Sequence, residues 1–144
     1  MNSKYLPWKK TGKFTLSSGQ IVDSYYDLKE MLGNPKLLEE ETYDIMEKSK
    51  KHNFDVIIGI DYGGVPLAVS LSLKTGIPYA ILRKEQKLHG MQKRIEGSPI
   101  KGRCILLDDV KTTGKSLVEA KDYLNNNDYY VLKSFILLDR LFDE

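Results

Sequence analysis

Cys104-Ile105-Leu106-Leu107-Asp108-Asp109-Val110-Lys111-Thr112-Thr113-Gly114-Lys115-Ser116 is the stretch on which the fold turns. Its first four residues are an apolar run of the kind carried by a strand buried on both faces. Two carboxylates follow at the strand's carboxyl end, and then a turn of hydroxyl residues and glycine that opens a helix. The backbone N–H groups of such a turn, with the helix N-terminus, form a cradle for a phosphate monoester. The hydroxyls of Thr112, Thr113 and Ser116 can add donors. Asp108 and Asp109 cannot welcome the same anion; they suit the hydroxyls of a polyol, or hydrated Mg²⁺. A ligand with a phosphate at one end and a ribose diol beside it satisfies both halves. Gly114-Lys115-Ser116 also resembles the end of a Walker A loop, but that loop needs glycine five residues before Gly114, where this chain has Asp109. A capped helix after a buried strand would explain the glycine and the threonines. It would not explain adjacent acids on a core strand, which are costly there unless they bind something.

On either side of this stretch the hydrophobic period changes repeatedly. Val56 to Ile60 and Tyr79 to Leu82 read as further core strands, and Val131 to Leu138 as a fourth. Gly63-Gly64 leads into a helix from Pro66 to Leu73, and a second helix from Lys115 to Leu124 is ended by Asn125-Asn126-Asn127. Asn34-Pro35 opens an earlier helix, with asparagine as N-cap and proline at the first helical position. Leu38, Thr42, Ile45 and Met46 share one face of it; glutamates fill its first turns and lysines crowd its end, as the macrodipole favours. Before it, Phe14 to Leu16, the turn signal Ser17-Ser18-Gly19-Gln20 and Ile21 to Asp27 read as a β-hairpin. Strands and helices joined by short connections predict an α/β fold with a doubly wound parallel sheet, in which ligands bind beyond the carboxyl ends of the strands. The expected organisation is one domain over residues 1–144, with a hairpin hood at 1–33 and an α/β core at 34–144.

Composition narrows the class. The 144 residues suffice for one domain with its own core, and a net charge of +2 gives no global signal for nucleic acid. The single cysteine, Cys104, excludes an internal disulfide framework and suits a reducing cytoplasm. Residues 1–8 contain no apolar signal-peptide core, and no apolar run approaches the roughly 18 residues that span a bilayer. The chain is expected to be soluble and cytoplasmic, with neither membrane nor nucleic acid as partner.

Arg83-Lys84-Glu85-Gln86-Lys87-Leu88-His89-Gly90 follows the second core strand and runs into another basic stretch up to Gly97. It lacks an apolar face, and Gly90 and Gly97 bracket its second half, so it reads as a lid loop with Arg83 and Lys84 fixed at the strand end. Its cations suit a strongly anionic ligand.

The CILLDDVKTTGKS stretch resembles the PRPP-binding motif of the type I phosphoribosyltransferases, and RKEQKLHG is similar to the lid loop of the orotate phosphoribosyltransferases within them. Phe14 to Gly19 with Tyr26 to Lys29 resembles that family's base-covering hairpin, Gly59 to Ala68 its pyrophosphate-side loop, and Leu138-Asp139-Arg140 the end of its fifth strand. The match covers most of residues 14–140. Where the family's hairpin usually carries lysine this chain has Ser17, and Lys29 stands where arginine is common.

The resemblance implies a Mg²⁺-dependent enzyme that transfers the phosphoribosyl group of PRPP to orotate. It also implies a homodimer with a shared active site. Asp108 and Asp109 would hold the ribose hydroxyls, one of them through Mg²⁺ water. Residues Thr112, Thr113, Gly114, Lys115 and Ser116 would bind the 5-phosphate. Arg83, Lys84, Lys87 and His89 would bind pyrophosphate, with Lys87 and His89 acting across the dimer interface, and Arg140 would read the carboxylate of orotate. Two alternatives stay open at this level: transfer to another nucleobase, and a PRPP-sensing module without turnover.

Overall fold

The computed structural model describes residues 3–16, 19–84 and 93–140. Ser17, Lys87 and His89 lie outside the described residues.

Lys9–Thr15 (β1) and Ile21–Tyr26 (β2) form an antiparallel two-stranded sheet, with a register shift between Thr11 and Phe14. A short 3-10 helix, Ser3–Trp8, precedes it. Alternation along β2 buries Ser24 and Tyr26 on one face, while Phe14 and Tyr25 meet edge to face with ring centroids 4.5 Å apart. Asp27 caps the helix Leu28–Leu32 (α1) by accepting from the Glu30 N–H at 3.1 Å. Leu28, Met31 and Leu32 of α1 are buried and tie the hairpin to the core.

Asn34 caps Pro35–Ser49 (α2) as expected: its side-chain oxygen accepts from the N–H groups of Lys36 at 3.0 Å and Leu37 at 3.2 Å. Thr42 and Ile45 face inward. Glu41 is buried with them, which its charge would not suggest. The Tyr5 hydroxyl donates to it at 3.3 Å and the Lys4 ammonium lies 2.8 Å away. Burial, together with the Glu41 charge, pushes the Tyr5 hydroxyl up to about 12, so it stays a donor.

The main sheet has five strands: Val56–Ile60 (β3), Tyr79–Leu82 (β4), Ile95–Gly97 (β5), Gly102–Lys111 (β6) and Tyr129–Asp139 (β7). Their order is β5-β4-β3-β6-β7, and all neighbours are parallel except β4 and β5. Val65–Thr75 (α3) connects β3 to β4, and Lys115–Asn125 (α4) connects β6 to β7. Ile57, Ile105 and Leu107 point to the face covered by α1, α2 and α3, where Leu28, Ile45 and Leu67 are buried. Val56, Ile58 and Leu106 point to the other face, against Ala120 and Leu124 of α4. Helices on both faces make the sheet doubly wound.

The main sheet departs from expectation at two points. The strand assigned to Cys104 to Leu107 continues to Lys111, with Lys111 paired to Asp139 on β7, so the acidic pair lies within the strand and not after it. β5 is an antiparallel edge strand of three residues, Ile-Glu-Gly, too short and too polar to announce itself. No helix among the described residues is long and apolar enough to cross a membrane.

Candidate active site

Asp108 and Asp109 are 6% and 5% exposed, in the middle of the sheet's carboxyl edge. Local backbone donors hold both in place: the Asp109 N–H donates to Asp108 Oδ1 at 2.8 Å and the Val110 N–H to Asp109 Oδ1 at 2.7 Å. The ammonium of Lys29, from α1, lies 3.4 Å from Asp109 Oδ2. Across the sheet, Gly63 and Gly64 approach β6 so closely that side chains there would collide with it. A Cβ on Gly63 would fall on the Asp109 carboxylate, and one on Gly64 on the Leu107 carbonyl oxygen. Gly63 and Gly64 therefore let the loop before α3 pack against the acidic pair.

Burial, followed by the neighbouring Asp109 charge, pushes the Asp108 carboxyl up to about 8, while the Lys84 ammonium opposes the shift. The folded value lies above the ordinary 3.8, so the neutral form favours folding. That contribution is complete below about pH 4 and is lost as pH rises towards 8. Asp108→Asn should therefore melt higher than the parent in chelator-treated protein. The gap should widen from pH 4 to pH 8, at roughly 2–4 °C per kcal/mol recovered; a gap independent of pH in thermal melts would contradict this.

The turn expected to take a phosphate follows directly. Gly114, the N-cap of α4, has φ +84°, a left-handed conformation that favours glycine. The Thr113 Oγ1 accepts from the Lys115 N–H at 3.2 Å, drawing that hydroxyl back onto the helix start. Lys111, under the turn, pairs with Asp139 at 3.2 Å.

Opposite the turn, Arg140 follows the last residue of β7. Its Nη1 donates to the Ser24 carbonyl oxygen at 2.9 Å and its Nη2 lies 3.3 Å from Ser24 Oγ, while the guanidinium carbon sits 5.8 Å from the centroid of the Tyr26 ring. The hairpin thus holds the arginine by two of its nitrogens.

A cleft of about 200 Å³ joins these parts. Lys84, Asp108, Asp109, Thr112, Gly114, Ser116 and Arg140 all line it, together with Leu16, Tyr25 and Tyr26 of the hairpin. Among the described residues, three expected ones are not in its lining. Thr113 Oγ1 is taken by the Lys115 N–H, Lys115 is exposed, and Arg83 turns to β5: its backbone N–H donates to the Arg94 carbonyl at 2.8 Å and its guanidinium lies 3.6 Å from Glu96. Lys111 lines the cleft with no role expected of it, and Lys29, noted only for standing where arginine is common, lines it too, because a lone lysine carries no signal until the fold brings it to a carboxylate. Cys104 is fully buried and burial pushes its thiol up to about 12, consistent with a core side chain and not a nucleophile.

The phosphoribosyl transferase domain model matches residues 24–143. Orotate phosphoribosyltransferase of Pyrococcus horikoshii is 40% identical over 134 residues, covering 91% of this chain and 72% of the relative. That of Methanosphaera stadtmanae is 36% identical over 132 residues, covering 91% and 74%. The crystal structure of orotate phosphoribosyltransferase from Aeropyrum pernix superposes with a TM-score of 0.80 at 33% identity, covering 97% of this chain and 82% of that one. An acidic pair on a central strand, a glycine turn behind it and an arginine held by a hairpin thus sit on the fold and sequence of one family: the chain belongs to the phosphoribosyl transferases, in the group of the orotate phosphoribosyltransferases.

Proposed function

We propose that the chain transfers the phosphoribosyl group of PRPP to orotate, giving orotidine 5'-phosphate and pyrophosphate. The observation that carries this is the meeting, in one cleft, of a buried acidic pair, a phosphate turn and a guanidinium anchored to the hairpin. Asp108 and Asp109 accept from the ribose hydroxyls. Thr112 to Ser116 bind the 5-phosphate through backbone N–H groups at the start of α4. Lys84 faces the pyrophosphate. Arg83, Lys87 and His89 are assigned to the same anion by resemblance, and so is the action of Lys87 and His89 across a homodimer interface. Tyr26 and Leu16 close over the base, and Arg140 takes its carboxylate. The transition state is oxocarbenium-like, so catalysis rests on placement and electrostatics and needs no protein nucleophile.

The donor set suits Mg²⁺. Among the described residues no three His, Cys, Asp or Glu side chains are grouped to hold a metal. Asp108 and Asp109 would hold Mg²⁺, a hard cation that takes carboxylate and water oxygens. When bound, it neutralises the charge that builds on the pyrophosphate.

An apolar groove along α3 supports the homodimer: Tyr62 is 69% and Leu73 83% exposed there, and Lys29 lines both groove and cleft, so a copy seated in the groove borders the active site. The cytoplasm as its setting rests on the lone buried Cys104.

Arg140→Ala should raise the KM for orotate about a hundredfold or more while moving that for PRPP far less, since a charged pair to the base carboxylate is lost. Steady-state kinetics with each substrate varied in turn check this. Equal effects on both constants would make Arg140 a structural link to Ser24.

A further inference from the structure

We infer that Lys111 is a second cation for the 5-phosphate, kept in position by Asp139 until the phosphate monoester arrives. The inference rests on the proposed phosphate cradle and adds to it a side chain from the strand below.

Lys111 is the last residue of β6 and stands in register with Asp139, the last residue of β7. Its ammonium lies 3.2 Å from Asp139 Oδ2, and both side chains are 27% exposed. The stem runs beneath the turn: Cε lies 3.1 Å and Nζ 3.9 Å from the point a Cβ on Gly114 would occupy. Gly114 begins α4 in the left-handed conformation, so the ammonium sits against the residue that aims the cradle. Lys111 shares the cleft wall with Thr112, Gly114 and Ser116. Lys115, by contrast, is exposed at the helix start and is not part of that wall.

A phosphate monoester near neutral pH carries close to two negative charges, against one on Asp139. Once it is seated on the turn, the larger charge competes for the ammonium, and a small rotation of a flexible stem transfers it. Asp139 then acts as a resting partner that keeps the cation near the turn and out of bulk solvent.

A purely structural role, clamping β6 to β7, makes a different prediction. Ribose 5-phosphate, titrated calorimetrically into the full chain, separates the two. Lys111→Met should bind it about tenfold more weakly than the parent, the loss of one charge-assisted hydrogen bond. Lys111→Arg should recover most of that affinity. Asp139→Asn should bind as tightly as the parent or more tightly, because the ammonium is released to the phosphate. Parent-like affinity in Lys111→Met, or a loss in Asp139→Asn equal to that of Lys111→Met, would overturn the inference and leave the cradle standing. No binding of ribose 5-phosphate by the parent would remove the cradle reading and the inference with it.

Discussion

The double variant Asp108→Asn, Asp109→Asn should lose PRPP binding, with affinity falling by about a thousandfold or more in calorimetry. The substitution is nearly isosteric. Each amide keeps an oxygen that can accept the N–H bonds from Asp109 and Val110 that now reach the carboxylates. The backbone of β6 therefore has no reason to move. What disappears is charge: the acceptors proposed for two ribose hydroxyls become amides, and Mg²⁺ would lose the carboxylates proposed to hold it. Each charged hydrogen bond contributes about 1.5–3 kcal/mol, so two of them account for the loss. The same change removes the penalty that grows as the buried Asp108 carboxyl ionises, so the variant should fold at least as well as its parent. Lost binding with retained or raised stability marks a site kept at the expense of the fold. Unchanged affinity would show that the acidic pair is not the ribose contact.

Gly63→Ala and Gly64→Ala should fail in opposite ways, although the residues are adjacent. A methyl on Gly63 meets the carboxylate of Asp109, which is the movable end of a side chain. The chain folds, Asp109 is pushed from its place, and turnover drops about a hundredfold, the scale of an ångström's displacement of a catalytic group. A methyl on Gly64 meets the Leu107 carbonyl oxygen and lies 2.7 Å from the Ile60 nitrogen. Those atoms belong to two central strands and cannot give way, so the loss falls on stability, about 3 kcal/mol or more. Thermal melts beside steady-state rates distinguish the two, and a Gly63→Ala protein with parental turnover would contradict the contact with Asp109.

The four core strands and three of the helices were legible because burial on both faces leaves a dense apolar run, and because Asn34-Pro35 and Gly114 mark helix starts chemically. β5 was not legible, since Ile95-Glu96-Gly97 takes its strand form from pairing with β4 and not from its own composition. α1 escaped for a related reason: its five residues have no room for a helical period, and only the Asp27 cap and the inward Leu28, Met31 and Leu32 define it. In the site, Asp108, Asp109, Thr112, Gly114 and Ser116 lie close in sequence, so spacing alone placed them together. Arg140 and Ser24 are separated by 116 positions and meet only through the fold. Lys29 and Asp109 are 80 positions apart and meet in the same way. Glu41 reads as one more glutamate of a solvated helix, and only the Tyr5 hydroxyl and Lys4 explain its burial.

The central claim is phosphoribosyl transfer to orotate, and pyrophosphate release tests it most directly. The full chain with PRPP and Mg²⁺ is offered orotate, uracil, hypoxanthine, adenine and guanine in turn. Pyrophosphate should appear with orotate and be close to background with the others, because only orotate brings a carboxylate to Arg140. Release driven by another base and not by orotate, or by none of the five, would contradict the account.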